Sequence, residues 1–279
     1  MPGTSPENSQ SSADRGSAQA AGVSLKSLIF DVDGTLAETE ELHRRAFNDS
    51  FADAGLGWAW DAELYGRLLA VTGGKERIRH FIDSHGCRPD LGPDEIAALH
   101  AFKTARYARL VGEGALRLRP GIERLLREAR SAGIRLAIAT TTTLANIDVL
   151  LRATLGADGA GWFDVIAAGD AVAAKKPSPD IYHLALAGLG LDAAECIAFE
   201  DTANGLTSAR SAGIATVVCL SRYGGSGPFP GAMAVVDHVG EAATPCQILA
   251  GPPTNTAIVD LATLARWHGT GPRCRAGLS

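Results

Sequence analysis

The sequence predicts an α/β protein: a parallel sheet covered by helices on both faces, with a block of helices inserted after the first strand. Three observations carry that prediction. A short apolar run, Ser27 to Phe30, stops at Asp31, Asp33 and Gly34, as a buried strand does when it delivers polar residues at its carboxyl end. From Pro120 onward helical and strand patterns alternate, the mark of parallel strands joined by crossover helices. Between these regions, residues 38–112 show helical periodicity and no strand pattern, so they read as a separate helical lobe.

Within the lobe, Leu42, Ala46, Ser50 or Phe51, and Ala54 mark one helix stopped by Gly55. Leu64 and Leu68 mark a second, and Ile78, Phe81, Ile82 and His85 a third stopped by Gly86. Pro93 suits the first position of a fourth, ahead of Ile96, Leu99 and Leu110, because its missing N–H costs nothing there. Hinges are expected near Ala37 and at Glu113 to Leu118. Beyond Pro120, Ile122, Leu125, Leu126 and Ala129 form one helix face, Gly133 ends it, and Ile134 to Ala139 run as a strand up to Thr140. Val165 to Ala168 is a further short strand. Pro179 to Leu189 reads as helix and Cys196 to Phe199 as a strand ending at Glu200 and Asp201. A helix from Asn204 to Ala212 precedes the strand Ala215 to Leu220. After Gly224 the chain turns rich in Pro and Gly, then offers Ala257 to Trp267 as a closing helix. Parallel sheets bind ligands at the carboxyl ends of their strands, and the polar residues named above fall at those ends. The expected organisation is therefore a tail over 1–24, a core formed by 25–37 and 113–279, and the lobe over 38–112.

At 279 residues with a formal net charge of −5, the chain can bury a large core and carries no basic footprint, which argues against nucleic acid or anionic membrane partners. Five cysteines, Cys87, Cys196, Cys219, Cys246 and Cys274, stand at irregular spacings without CxxC pairs; they point to a reducing compartment and to neither zinc nor a disulfide framework. No stretch approaches the ~18 uninterrupted apolar residues of a membrane span. The N-terminal 24 residues, rich in Ser, Ala and Gly, hold too little apolar mass to order themselves. A cytoplasmic location is expected. The alternative, a plastid transit peptide, is opposed by Glu7, Asp14 and the single Arg15.

Asp31-Val32-Asp33-Gly34-Thr35, directly after an apolar strand, is the strongest chemical signal. Phosphoryl transfer needs an in-line nucleophile, a proton donor for the leaving oxygen and positive charge around the moving group. Asp31 suits the nucleophile, forming an aspartyl-phosphate. Asp33, two residues on and past the extended strand, suits the acid that protonates the leaving alkoxide and later activates water.

This arrangement resembles the haloacid dehalogenase-like phosphatases over nearly the whole chain after the tail. Four motifs match in order: Asp31 and Asp33, then Thr140, then Lys176 in Lys176-Pro177-Ser178-Pro179-Asp180, then Glu200-Asp201. The resemblance implies a Rossmann-like core with an inserted helical cap, and a magnesium-dependent hydrolase without an organic cofactor. In those roles Thr140 and nearby amides hydrogen-bond phosphoryl oxygens while Lys176 neutralises charge. Mg²⁺ favours hard oxygens, so Asp31, the Asp33 carbonyl and Asp201 are the implied ligands, with Glu200 direct or one shell out. Each residue also has an ordinary reading: Asp31 as a turn former, Thr140 as one of four consecutive threonines, Glu200-Asp201 as a helix cap. The lysine directly before proline selects Lys176 and leaves Lys175 as surface charge.

Two segments, Asp31 to His43 and Val71 to Ile82, are similar to the CbbY-like sugar phosphatases. That resemblance implies the Calvin cycle and hydrolysis of xylulose-1,5-bisphosphate to xylulose-5-phosphate. The residues add their own argument. Gly73 and Gly74 allow close backbone approach, and Lys75 and Arg77 follow at a helix start, a combination suited to a second phosphate. Thr141 and Thr142 join Thr140 on the phosphate side, while Glu38 is expected to meet sugar hydroxyls and Tyr65 to line the same cleft. His43 and His80 read as packed or surface histidines, and Trp58 and Trp60 as lobe packing. The expected partner is a small sugar phosphate and the expected state a monomer. Two alternatives stand: a phosphomutase similar to β-phosphoglucomutase, and a non-catalytic regulator on the same fold.

Overall fold

The computed structural model describes residues 24–270, apart from 170, 226 and 255; the segment read as a tail lies outside them except for its last residue, and so does Cys274. Seven strands form one sheet: β1 (Ser27–Phe30), β2 (Arg135–Ala139), β3 (Val165–Ala167), β4 (Cys196–Glu200), β5 (Ala215–Cys219), β6 (Ala234–Val236) and β7 (Ile248–Ala250). Their order across the sheet is β3-β2-β1-β4-β5-β6-β7. β1 is central, parallel to β2 on one side and β4 on the other, with Phe30 level with Ile138 and Phe199. All four of its side chains are buried, as a strand covered on both faces requires.

Nine α-helices accompany the sheet among the described residues: α1 (Glu40–Asp53), α2 (Ala62–Leu68), α3 (Gly74–His85), α4 (Pro93–Leu110), α5 (Ile122–Ser131), α6 (Leu144–Leu155), α7 (Asp180–Leu189), α8 (Ala203–Ser211) and α9 (Leu261–Thr270). Alternation along β1 divides the core between the two faces. Leu28 and Phe30 pack with α5, α6 and α9 through Leu125, Leu150 and Leu264, whereas Ile29 packs with α7 and α8 through Tyr182 and Ala209.

Three features depart from the sequence reading. The edge strand β7 runs antiparallel to β6, so the sheet is not wholly parallel; both strands have three residues, too short to show a period in a Pro- and Gly-rich stretch. α6 follows the four threonines, where β-branched residues hide a helix start; Thr143 caps it by accepting from Asn146 N. α9 begins at Leu261 and not Ala257, because Asp260 caps it from outside and accepts from Thr263 N at 2.7 Å.

Helices α1 to α4 enclose an aromatic core of Phe47, Phe51, Trp60, Tyr65 and Phe81, with Phe47 and Trp60 rings 4.7 Å apart. Leu42 and Ala46 of α1 and Tyr107 and Leu110 of α4 instead join the sheet-side core, so the lobe is rooted there by its two longest helices. The chain enters the lobe beside where it leaves. Ala37 pairs antiparallel with Leu118, and Arg119 N donates to Leu36 O at 2.8 Å. No described helix is long and apolar enough to cross a membrane.

Candidate active site

The carboxyl ends of β1, β2 and β4 converge, and the residues that end them line one cavity: Asp31, Thr140, Glu200 and Asp201. Lys176, from the loop ahead of α7, reaches in from the side. Its Nζ donates to Asp31 Oδ1 at 2.7 Å and to Glu200 Oε1 at 2.5 Å. Glu200 also accepts from the Tyr182 hydroxyl. The turn after Asp33 depends on Gly34, which has φ +81° and whose missing Cβ would fall 2.0 Å from Asp201 Oδ2. Only glycine tolerates both the conformation and the approach. Ser221, just past β5, donates to the same Asp201 oxygen at 2.6 Å.

The charges here are unbalanced. Oxygens of Asp31, Glu200 and Asp201 lie within 4.8 Å of one another, all three residues buried, and Lys176 is the cation bonded among them. Burial, against the pull of Lys176 and with the push of Glu200 and Asp33, raises the Asp31 carboxyl to about 7. Burial and the Asp31 charge hold Asp201 well above the carboxylate range. Lys176 is correspondingly held above the ordinary lysine value: burial opposes its charge, but Asp31 and Glu200 more than offset that. A cluster of hard oxygen donors with surplus negative charge is the chemistry of a divalent cation site, and these residues fit one.

Asp33 faces elsewhere. Its Oδ1 accepts from Thr39 Oγ1 at 2.5 Å and meets His43 Nε2 at 3.0 Å. His43 Nδ1 is 2.6 Å from Lys103 Nζ, which is buried and lies 4.6 Å over the Phe47 ring. Burial opposes the charge on Asp33, but the electrostatic pull of His43, the hydrogen bonds from His43 and Thr39, and Lys103 bring it down to about 2. Burial drives Lys103 the other way, to about 7, with Asp33 countering and Arg77 adding to the fall. Sequence reasoning missed this chain. His43 reads from sequence as a packed or surface histidine and Lys103 is not singled out; the usable signal is a lysine on the buried stripe of α4, in line with Ile96, Leu99 and Tyr107.

The opposite wall of the cavity comes from the lobe. Gly73, Gly74, Lys75 and Arg77 line it together with His100 and Lys103, and Thr141 and Thr142 line it from the core side. Gly74 is required by contact: a Cβ there would lie 2.3 Å from His100 Nε2. Arg77 is anchored, donating to the carbonyls of Leu68 and Val71 at 3.2 Å each. Burial, and after it the neighbouring Lys103, Lys75 and Lys175, lower His100 to about 4.

One expectation needs correction, that for Lys175, while Tyr65 and Glu38 stand beside the cavity lining and not in it. Lys175 is not surface charge: it lines the cavity and pairs with Glu76 at 3.1 Å, because the chain brings both consecutive lysines inward. Tyr65 is wholly buried in the lobe, outside the cavity lining, with its hydroxyl donating to Glu40 at 2.5 Å. Glu38 also stands outside the lining, turned toward Arg119 at 3.6 Å and toward Arg222 N. Glu40, two residues on, is the carboxylate that lines the cavity.

Residues 25–213 match the family model of the haloacid dehalogenase-like hydrolases. The plasmid CbbY protein of Cupriavidus necator is 51% identical over 248 residues, covering 88% of this chain and 97% of that one. The crystal structure of CbbY from Rhodobacter sphaeroides in complex with phosphate has a TM-score of 0.74 at 51% identity, covering 77% of this chain and 94% of that one. A mutant of that protein in complex with xylulose-(1,5)bisphosphate gives 0.75 at 50% identity, covering 78% and 98%. With the motif residues gathered at the strand ends and likeness of this extent, the chain belongs to the haloacid dehalogenase-like hydrolases as a phosphatase closely related to the CbbY proteins.

Proposed function

We propose that the protein is a magnesium-dependent sugar phosphatase that converts xylulose-1,5-bisphosphate to xylulose-5-phosphate through a phosphorylated Asp31. One observation carries the reading: a single cavity has buried carboxylates and Lys176 at one end and Gly73, Gly74, Lys75, Arg77 and Lys175 at the other. A molecule with two phosphates matches both ends. One phosphate is attacked while the other is held by backbone approach at the Gly-Gly turn, by the anchored Arg77 fork and by lysine charge. The likeness to a CbbY protein that binds this sugar bisphosphate supports the choice of sugar.

In this reading the Asp31 carboxylate attacks phosphorus, the P–O bond to the sugar breaks, and the leaving oxygen takes a proton from Asp33. Water then attacks the phosphoryl group on Asp31, giving its proton to Asp33. Lys176, Thr140 and the amides leading into α6 stabilise charge on the phosphoryl oxygens. Asp31, the Asp33 carbonyl, Asp201 and Glu200 are the residues that would hold Mg²⁺; the ion supplies charge neutralisation that lets one anion approach another. Helices α1 to α4 act as a cap over residues 38–112 that excludes bulk water when closed.

The test is phosphate release from xylulose-1,5-bisphosphate, measured beside glucose-1-phosphate isomerisation. Stoichiometric phosphate and xylulose-5-phosphate are expected. Isomerisation without free phosphate would replace this reading with a phosphomutase.

A further inference from the structure

The loop that follows β5 does two things at once. At its start Ser221 donates to Asp201 at 2.6 Å, and Gly224 N donates back to Ser221 Oγ at 2.8 Å. This small turn is therefore fixed to the core. Between those residues the chain reaches across to the helical lobe. The Tyr223 hydroxyl donates to Glu41 Oε2 at 2.8 Å, and its ring meets the Tyr65 ring edge-on at 5.7 Å. Both targets are themselves held. Glu41 is clamped by Arg44, whose Nε and Nη2 donate to its two oxygens, and Tyr65 is wholly buried and donates to Glu40.

Glu40 and Glu41 are the first two residues of α1, and Glu40 lines the cavity. Tyr223 thus grips the end of α1 that faces the core through one direct bond to Glu41 and one ring contact that leads to Glu40. The spacing of the contacts argues for a clasp and not for incidental packing: one polar bond and one aromatic edge land on two different helices, α1 and α2, from a single side chain. Asn204, after β4, makes a looser reach to Ala70 O and Thr72 Oγ1, both at 3.4 Å. Tyr223 is half-buried and itself lines the cavity, with its hydroxyl committed to Glu41.

We propose that Tyr223 is a positioning residue that clasps the lobe shut, setting Glu40 over the cavity and favouring substrates that need the closed lobe over those that do not. The inference rests on the reading of a sugar bisphosphate held between core and lobe. A small aryl phosphate such as para-nitrophenyl phosphate engages only the core end, so its turnover does not depend on the clasp.

Tyr223→Phe keeps the ring and removes the hydroxyl. KM for xylulose-1,5-bisphosphate is expected to rise about threefold to tenfold, the worth of one hydrogen bond, with kcat/KM for para-nitrophenyl phosphate unchanged. Glu41→Gln with Tyr223→Phe should be no worse than the more impaired single variant. Small-angle X-ray scattering of the substrate-free full chain gives a readout apart from activity: Tyr223→Ala should increase the radius of gyration as the open population grows. Equal losses on both substrates, or additive losses in the double variant, would overturn the proposal. So would an unchanged radius of gyration in Tyr223→Ala, and that outcome holds whether or not the bisphosphate is a substrate. Failure of the parent enzyme to hydrolyse the bisphosphate would instead strike the substrate reading, leaving scattering to decide the clasp.

Discussion

The two ends of the cavity are built on different plans. At the core end, each functional side chain stands at the end of a buried strand or on the short loop that follows it, and the charges are interlocked: Lys176 bonds both Asp31 and Glu200, and Ser221 bonds Asp201. At the lobe end the groups come from a turn and the first turn of α3, and their geometry is borrowed from neighbours, as when Arg77 is held by the Leu68 and Val71 carbonyls. A rigid sheet fixes chemistry; a helical lobe resting on it by side-chain contacts adjusts to the substrate. Loss of a core-end residue should therefore remove turnover, and loss of a lobe-end residue should weaken binding.

The largest break in that contrast is Asp31→Asn. It should lower kcat by about 10⁴-fold or more, as removal of a nucleophile does, with an unchanged circular dichroism spectrum; rapid-quench labelling should find phosphate on Asp31 in the parent and none in the variant. Substantial residual turnover would take Asp31 out of the nucleophile role. Next comes the cation. Chelation should reduce turnover at least about a hundredfold, equivalent to about 3 kcal/mol of barrier, and Mg²⁺ should restore it. Full activity in the stripped enzyme would mean that the carboxylate cluster serves another purpose.

A smaller effect belongs to Arg77. Arg77→Ala should raise KM for the bisphosphate about tenfold, or about 1.4 kcal/mol, while a monophosphate loses far less; equal losses would show that both ends act as one site. The last test, read in stability and not in turnover, separates the buried chain behind Asp33 from both ends. Lys103 is lowered to about 7, so between about pH 7 and its unfolded value of 10.5 the unfolded chain holds more protons than the folded one. Stability from this group therefore rises with pH across that window and is lowest below pH 7. Lys103→Met removes the group, so the stability of the variant relative to the parent should be greatest at pH 7 and shrink as pH approaches 10, measured by Tm in parallel buffers. A difference that stays constant with pH would show that Lys103 ionises normally.

The core end was legible because its residues sit where a short-range pattern changes: an apolar strand, then a carboxylate, a threonine or an acid pair. Gly34 and Lys176 were legible for the same reason, one by turn chemistry and the other by its place before Pro177. What stayed hidden depends on contacts far along the chain. His43 and Lys103 are 60 residues apart, and nothing local in either helix announces that both serve Asp33. Nor did the sequence single out Glu40, the first residue of α1, which lines the cavity. Lys175 was read outward from its position in a loop, although the chain folds it against Glu76. The short edge strands β6 and β7 hold too few residues for any periodic signal.

The paired crossing at Ala37 and Leu118 has a mechanical consequence. A single-stranded tether lets an attached body tumble in every direction, but two strands zipped side by side resist torsion and leave one easy axis of bending. The helical cap should thus move like a door and not like a flag. Its free edge should then sweep one arc over the cavity.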